Sequence, residues 1–90
     1  MTGRRLSRLQ RRILVWLLVD AQRTGGQTSS SHQELVRTLP SAKGNISQSL
    51  RTLEARGWVG IGRSPGGKAE YVFLTAAGYQ SAHQIAGSYD

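Results

Sequence analysis

At Gly57 the chain changes its hydrophobic rhythm, and no other feature of the sequence limits the possible folds so strongly. Before that glycine the apolar residues recur at helical intervals. After it they gather in two short runs, Trp58 to Ser64 and Ala69 to Leu74, around Pro65-Gly66-Gly67-Lys68. Helical segments followed by a hairpin describe a mostly helical α+β domain. Ninety residues make one domain, 1–90, that buries about 60–65% of the surface its unfolded chain exposes. With 38% hydrophobic residues there is enough for a core, but not for a large enclosed active site.

Leu6, Leu9, Ile13, Trp16 and Leu17 predict a first helix from Leu6 to Gln22. Leu14, Val15 and Leu18 widen its stripe, so the second half is expected to be enclosed on most sides. Gly25, within Thr24-Gly25-Gly26-Gln27-Thr28, is the expected cap. Ser31-His32-Gln33-Glu34 matches a capping box for a short helix that buries Leu35, Val36 and Leu39 and stops before Pro40. A third helix is predicted from Ala42 to Arg56, capped by Ser41, with Ile46, Leu50 and Leu53 facing inward. Gly57 is then the residue expected one step past its end. Gly60 and Gly62 weaken the first strand of the hairpin and point to a bulge or a close backbone neighbour. Thr75 caps a last helix to about Ala86, and residues 1–5 and 87–90 are expected to be flexible.

The start of the chain imitates a signal peptide, because Arg4, Arg5, Arg8, Arg11 and Arg12 precede the apolar run Ile13 to Val19. That run is far short of the roughly 20 residues that span a bilayer, and no small-residue cleavage site follows it. A soluble helix is the expectation. Cysteine is absent, which removes disulfide scaffolds and thiolate metal sites and fits a reducing, cytoplasmic setting; association with the nucleoid is expected only if the chain binds DNA.

Helix, helix, tight turn, helix and hairpin is the element order of a winged helix-turn-helix: a three-helix core, a two-stranded wing and a C-terminal helix. The residues also carry a likeness. Asn45-Ile46-Ser47-Gln48-Ser49-Leu50-Arg51-Thr52-Leu53-Glu54-Ala55-Arg56-Gly57-Trp58-Val59 resembles the recognition-helix stretch of winged-helix regulators and its passage to the wing. Tyr71-Val72-Phe73-Leu74-Thr75-Ala76-Ala77-Gly78 resembles the Leu-Thr-x-x-Gly step that closes the wing in MarR- and PadR-like proteins. The two fall at the right separation, so the resemblance covers roughly Ile13 to Gly78. The resemblance implies a small transcriptional regulator of a prokaryote, phage or plasmid. MarR-type wings usually carry Asp-x-Arg near the tip, whereas this tip reads Gly66-Gly67-Lys68.

Charge points the same way. Twelve Lys+Arg against five Asp+Glu leave +7, and ten of the twelve are Arg. Arg4, Arg8 and Arg11 form one stripe if the first helix begins early, and Arg5 is a further candidate contact. Cations at a helix N-terminus oppose its dipole, and a phosphate backbone would reverse that cost. The outward face of the third helix carries Lys43, Asn45, Ser47, Gln48, Arg51 and Thr52, with Ser41 just ahead of it and no acid among them. Asn45 and Gln48 suit adenine, Arg51 suits guanine or phosphate, and Lys43 and Ser47 suit backbone oxygens. Arg63, Gly66, Gly67 and Lys68 form the expected contact of the wing. An ordinary solvated surface would show the same polarity, so the fold has to decide.

Other chemistry is weakly represented. Trp16 and Trp58 read as core packing rather than base-stacking platforms. His32 and His83 are isolated, so no metal or other cofactor is expected. No Ser-His-Asp arrangement is present, Glu34 and Glu54 have structural uses, and no enzyme activity is expected. The expected function is sequence-specific binding of double-stranded DNA, the third helix in the major groove and the wing on backbone or minor groove. The expected assembly is a homodimer through the last helix and the start of the first, because Tyr79 and Ile85 have little else to cover. The alternative is a winged-helix module that binds RNA or a protein partner. No membrane partner is expected.

Overall fold

The computed structural model describes residues 6–23 and 29–87. Its elements in order are α1 (Arg8–Arg23), β1 (Ser29–Ser31), α2 (His32–Thr38), α3 (Lys43–Ala55), β2 (Val59–Arg63), β3 (Ala69–Leu74) and α4 (Ala76–Gly87). The expected cap at Gly25 and the expectations on residues 1–5 and 88–90 lie outside the described residues. Gly87, expected to fray, closes α4.

α1 begins two residues later than its apolar pattern predicts. The Ser7 hydroxyl accepts the Gln10 N–H at 3.1 Å, and the Gln10 side-chain oxygen accepts the Ser7 N–H at 3.1 Å. This reciprocal cap satisfies two helix-end donors and sets the start at Arg8. Ile13, Leu14, Leu17, Leu18 and Ala21 are buried. The opposite side is more open than expected: Val15 and Trp16 are half-buried and Val19 is 54% exposed. The sheet, α3 and α4 pack on α1 without enclosing it.

The hairpin gains a strand that the sequence reading did not contain. β1 pairs with β3, placing Ser29 opposite Phe73 and Ser31 opposite Tyr71, and the antiparallel sheet has the order β1-β3-β2. Ser29-Ser30-Ser31 has no apolar alternation to announce a strand, so pairing with β3 creates it. α2 follows at once, which leaves Ser31 in the N-cap position; its capping-box contact lies outside the described side chains.

Ile46, Leu50 and Leu53 are 0%, 1% and 0% exposed, in one core with Ile13, Leu17, Leu35, Val59 and Val72. Burying each of the three contributes about 1.5–3 kcal/mol relative to exposure. The predicted Ser41 cap is corrected: the N-cap is Ala42, extended at φ −64 and ψ 145, with no side-chain cap bond. The turn behind Pro40 draws the Ser41 N–H to the Leu39 carbonyl at 2.8 Å, leaving Ser41 one residue short of the helix. The far end matches expectation. Gly57 takes φ +79, its N–H donates to the Glu54 carbonyl, and the Trp58 N–H reaches the Leu53 carbonyl at 3.0 Å. These bonds form a Schellman cap, which a left-handed glycine makes without steric cost.

Thr75 locks the sheet to α4. Its hydroxyl donates to the Gly57 carbonyl at 2.6 Å and accepts the Gly78 N–H at 3.1 Å, while its own N–H reaches the Trp58 carbonyl. Gly78 lies against that same carbonyl so closely that a Cβ would collide with backbone. Ala82 is fully buried, and Tyr79, Ile85 and Ala86 pack on the core. The premise that Tyr79 and Ile85 are left with little to cover is therefore corrected, because α4 lies along α1 and the core takes them up.

Candidate nucleic-acid interface

Burial of Ile46, Ser49, Leu50 and Leu53 divides the outward surface of α3 into two stripes. Lys43, Ser47 and Arg51, each four residues from the next, line a groove of about 900 Å³ between α2, α3 and the wing. Arg63, Gly67 and Lys68 line its other wall. Six of the predicted site residues thus converge on one concave surface. Asn45 and Gln48 stand exposed on the second stripe, outside the groove. Thr52 is half-buried and donates its hydroxyl to the Gln48 carbonyl at 3.2 Å, so its proton is already engaged.

The remaining predicted residues lie elsewhere. Gly66 is exposed in the hairpin turn, and Ser41 is half-buried ahead of α3. Arg8 is exposed at the first position of α1 and is not part of the groove wall. Arg4 and Arg5 lie outside the described residues. With α1 starting at Arg8, the proposed stripe retains Arg8 and Arg11 on the helix.

The wing is shaped by its glycines and one register shift. β2 pairs Gly60 with Phe73 and Gly62 with Tyr71, and the register slips between Gly62 and Arg63, so that Arg63 faces Ala69. Of the two alternatives expected for these glycines, the bulge is present after Gly62, whereas the close neighbour is an aromatic side chain rather than backbone: a ring lies where a Cβ would stand on each. The turn closes through the Ser64 N–H to the Lys68 carbonyl at 2.8 Å, with Gly67 at φ +87.

Arg63 is not a free cation. Its two terminal nitrogens each donate to a Glu54 carboxylate oxygen at 3.1 Å, tying the wing to the last turn of α3. The hydrogen bond from Arg63 holds the Glu54 carboxyl below its usual range, and the same pair raises the Arg63 pKa. Bidentate geometry fixes orientation as well as charge. Lys43, Arg51 and Lys68 carry no ion pair among the described residues.

Sequence reasoning missed what α2 supplies. His32, Gln33 and Arg37 line the groove opposite Lys43 and Arg51. His32 is 9% exposed, and its pKa is lowered first by desolvation and then by the Lys43 charge. The only signal in the sequence was its place at the start of a short helix. Arg37 also approaches Glu34 at 3.7 Å, and the Arg56 guanidinium stacks over Trp58 at 5.3 Å. Trp16 and Trp58 pack against the core, as expected. Among the described residues, no three His, Cys, Asp or Glu side chains cluster in a way that could hold a metal ion. No described helix is long and apolar enough to cross a membrane.

No protein-family model matches the chain, and no curated protein sequence does. Solved structures do. A mutant of Lactococcus lactis ZitR in its apo form is 17% identical, with a TM-score of 0.71 over 91% of this chain and 57% of its own. MepR, a transcription regulator of the Staphylococcus aureus multidrug efflux pump MepA, is 16% identical, with a TM-score of 0.72 over 91% and 56%. The multiple antibiotic resistance repressor MarR is 23% identical, with a TM-score of 0.70 over 90% and 54%. The chain thus spans a little over half the length of the proteins it resembles. At these identities the likeness shows the fold, a MarR-like winged helix.

Proposed function

We propose that this chain is a transcriptional regulator that binds double-stranded DNA sequence-specifically as a homodimer, with α3 in the major groove and the wing on backbone or minor groove. One observation carries the reading. Ile46, Leu50 and Leu53 are buried, which turns an acid-free face of Lys43, Asn45, Ser47, Gln48 and Arg51 outward beside a wing that carries Arg63, Lys68 and Glu70. A major groove about 12 Å wide admits such a helix. Two structures of the same fold support the class, since MepR is described as a transcription regulator and MarR as a repressor.

The roles divide by stripe. Asn45 and Gln48, the exposed amides, read base edges, while Lys43, Ser47, Arg51 and Lys68 hold phosphates along the groove. One α3 reads few base pairs, so two copies related by a two-fold axis complete the site. Selection of bound duplexes from a random pool at two salt concentrations tests affinity, symmetry and specificity together. A two-fold symmetric site whose preference is lost in Gln48→Ala with Arg51→Ala is the expected result. Tighter binding of structured RNA than of any duplex in direct competition would overturn the reading.

A further inference from the structure

The sheet has a second face that the DNA-binding reading does not use. Val72 and Leu74 are buried, so alternation along β3 turns Tyr71 and Phe73 to the opposite side. Neither ring belongs to the core, and Tyr71 is 46% exposed. Their neighbours across the sheet are small residues: Gly62 and Ser31 flank Tyr71 in register, and Gly60 and Ser29 flank Phe73.

The glycines reveal how the rings lie. A Cβ built on Gly62 would fall within 2.8 Å of Cζ, Cε1 and Cε2 of Tyr71 together, and the same holds for Gly60 and Phe73. A point close to all three atoms of a ring tip lies over the ring's face. An edge-on ring would bring Cζ alone into contact. Each ring is therefore laid flat on its glycine with one face against backbone, Tyr71 exposed and Phe73 half-buried. Two such plates stand side by side on alternate residues of one strand, about 6.8 Å apart.

We infer that this face binds unpaired DNA bases by stacking on Tyr71 and Phe73. A base is itself a plate, and every base has a π-face to offer an aromatic ring. In duplex DNA successive bases follow about every 3.4 Å and cover one another, so they present no open face to rings arranged in this way. The net charge of +7 draws a polyanion to the chain, and Lys68 stands exposed at the end of the hairpin. The choice of DNA over RNA rests on the function proposed above. A wing beside a duplex held by α3 is placed to engage strands that have separated.

Anisotropy of a labelled oligo(dT), measured with the full chain, tests this. Tyr71→Leu and Phe73→Leu keep an apolar cover over each glycine and remove the aromatic plate. Each should weaken oligo(dT) binding by about 5- to 150-fold and leave duplex binding unchanged. Gln48→Ala with Arg51→Ala should do the reverse, which separates this site from the duplex site. Equal oligo(dT) affinity in wild type and in folded leucine variants would overturn the inference. Should either variant fail to fold, the ring-proton resonances of Tyr71 and Phe73 in the wild-type protein decide. They shift on adding oligo(dT) if the bases stack there, and stationary resonances would refute it. Tighter ring-dependent binding of oligo(U) would overturn the assignment to DNA.

Discussion

Replacing Glu54 by Gln should steepen the salt dependence of DNA binding, although Glu54 is itself no expected DNA contact. Lys43, Arg51 and Lys68 line the groove without an ion pair among the described residues, whereas Arg63 is held by both oxygens of Glu54. The proposed dimer would then present about six cations to phosphates, and log K should fall with log salt at a slope near −5. Glu54→Gln releases Arg63 on each copy, raising the count to about eight and the slope to near −7. Between about 50 and 200 mM salt the loss of affinity grows from about two thousandfold to about twenty thousandfold. The assay is anisotropy of a labelled random-sequence duplex, where base readout contributes little. Arg63→Gln combined with Glu54→Gln should bring the slope back to the wild-type value. An unchanged slope in Glu54→Gln would refute the reasoning, because Arg63 would then lie out of reach of phosphate whether paired or free.

Three further outcomes follow from the packing. Leu50→Ala removes a side chain that is 1% exposed and should cost about 2–5 kcal/mol in urea unfolding, with duplex binding lost in parallel as α3 loosens. Gly78→Ala drives a methyl into the Trp58 carbonyl that accepts the Thr75 N–H, and should cost at least about 1–3 kcal/mol in thermal melts; wild-type stability would contradict the described contact. His32 titrates below its ordinary 6.5 in the folded protein, so the unfolded chain binds more protons in the window between the two values. Stability is therefore full above 6.5, declines as pH falls through the folded pKa and then levels off. His32→Gln should remove that decline in pH-dependent denaturation curves.

Much of the fold was legible because its signals are local. Ile46, Leu50 and Leu53 repeat within two turns, Gly57 follows at once, and Thr75 and Gly78 lie three apart, so each motif specifies its own neighbourhood. The same arithmetic exposed Lys43, Asn45, Gln48 and Arg51, because a helix whose inward residues are known has no choice about its outward ones. Where a local signal was passed over, as with Ser7 and Gln10, the residues were still adjacent and the error was two positions at a helix end.

What remained hidden depends on partners distant along the chain. Three serines become β1 because Tyr71, Val72 and Phe73 offer free backbone groups across the sheet. Arg63 turns to Glu54 only once the register slip and the packing of the wing on α3 bring the two together. His32 becomes a wall of the groove when α2 settles opposite Lys43. Periodicity and caps are written in residues a few positions apart, and the sequence alone determines them. Pairing, burial of one polar group and the flat lie of two rings arise where separate segments meet, and only the tertiary structure decides those.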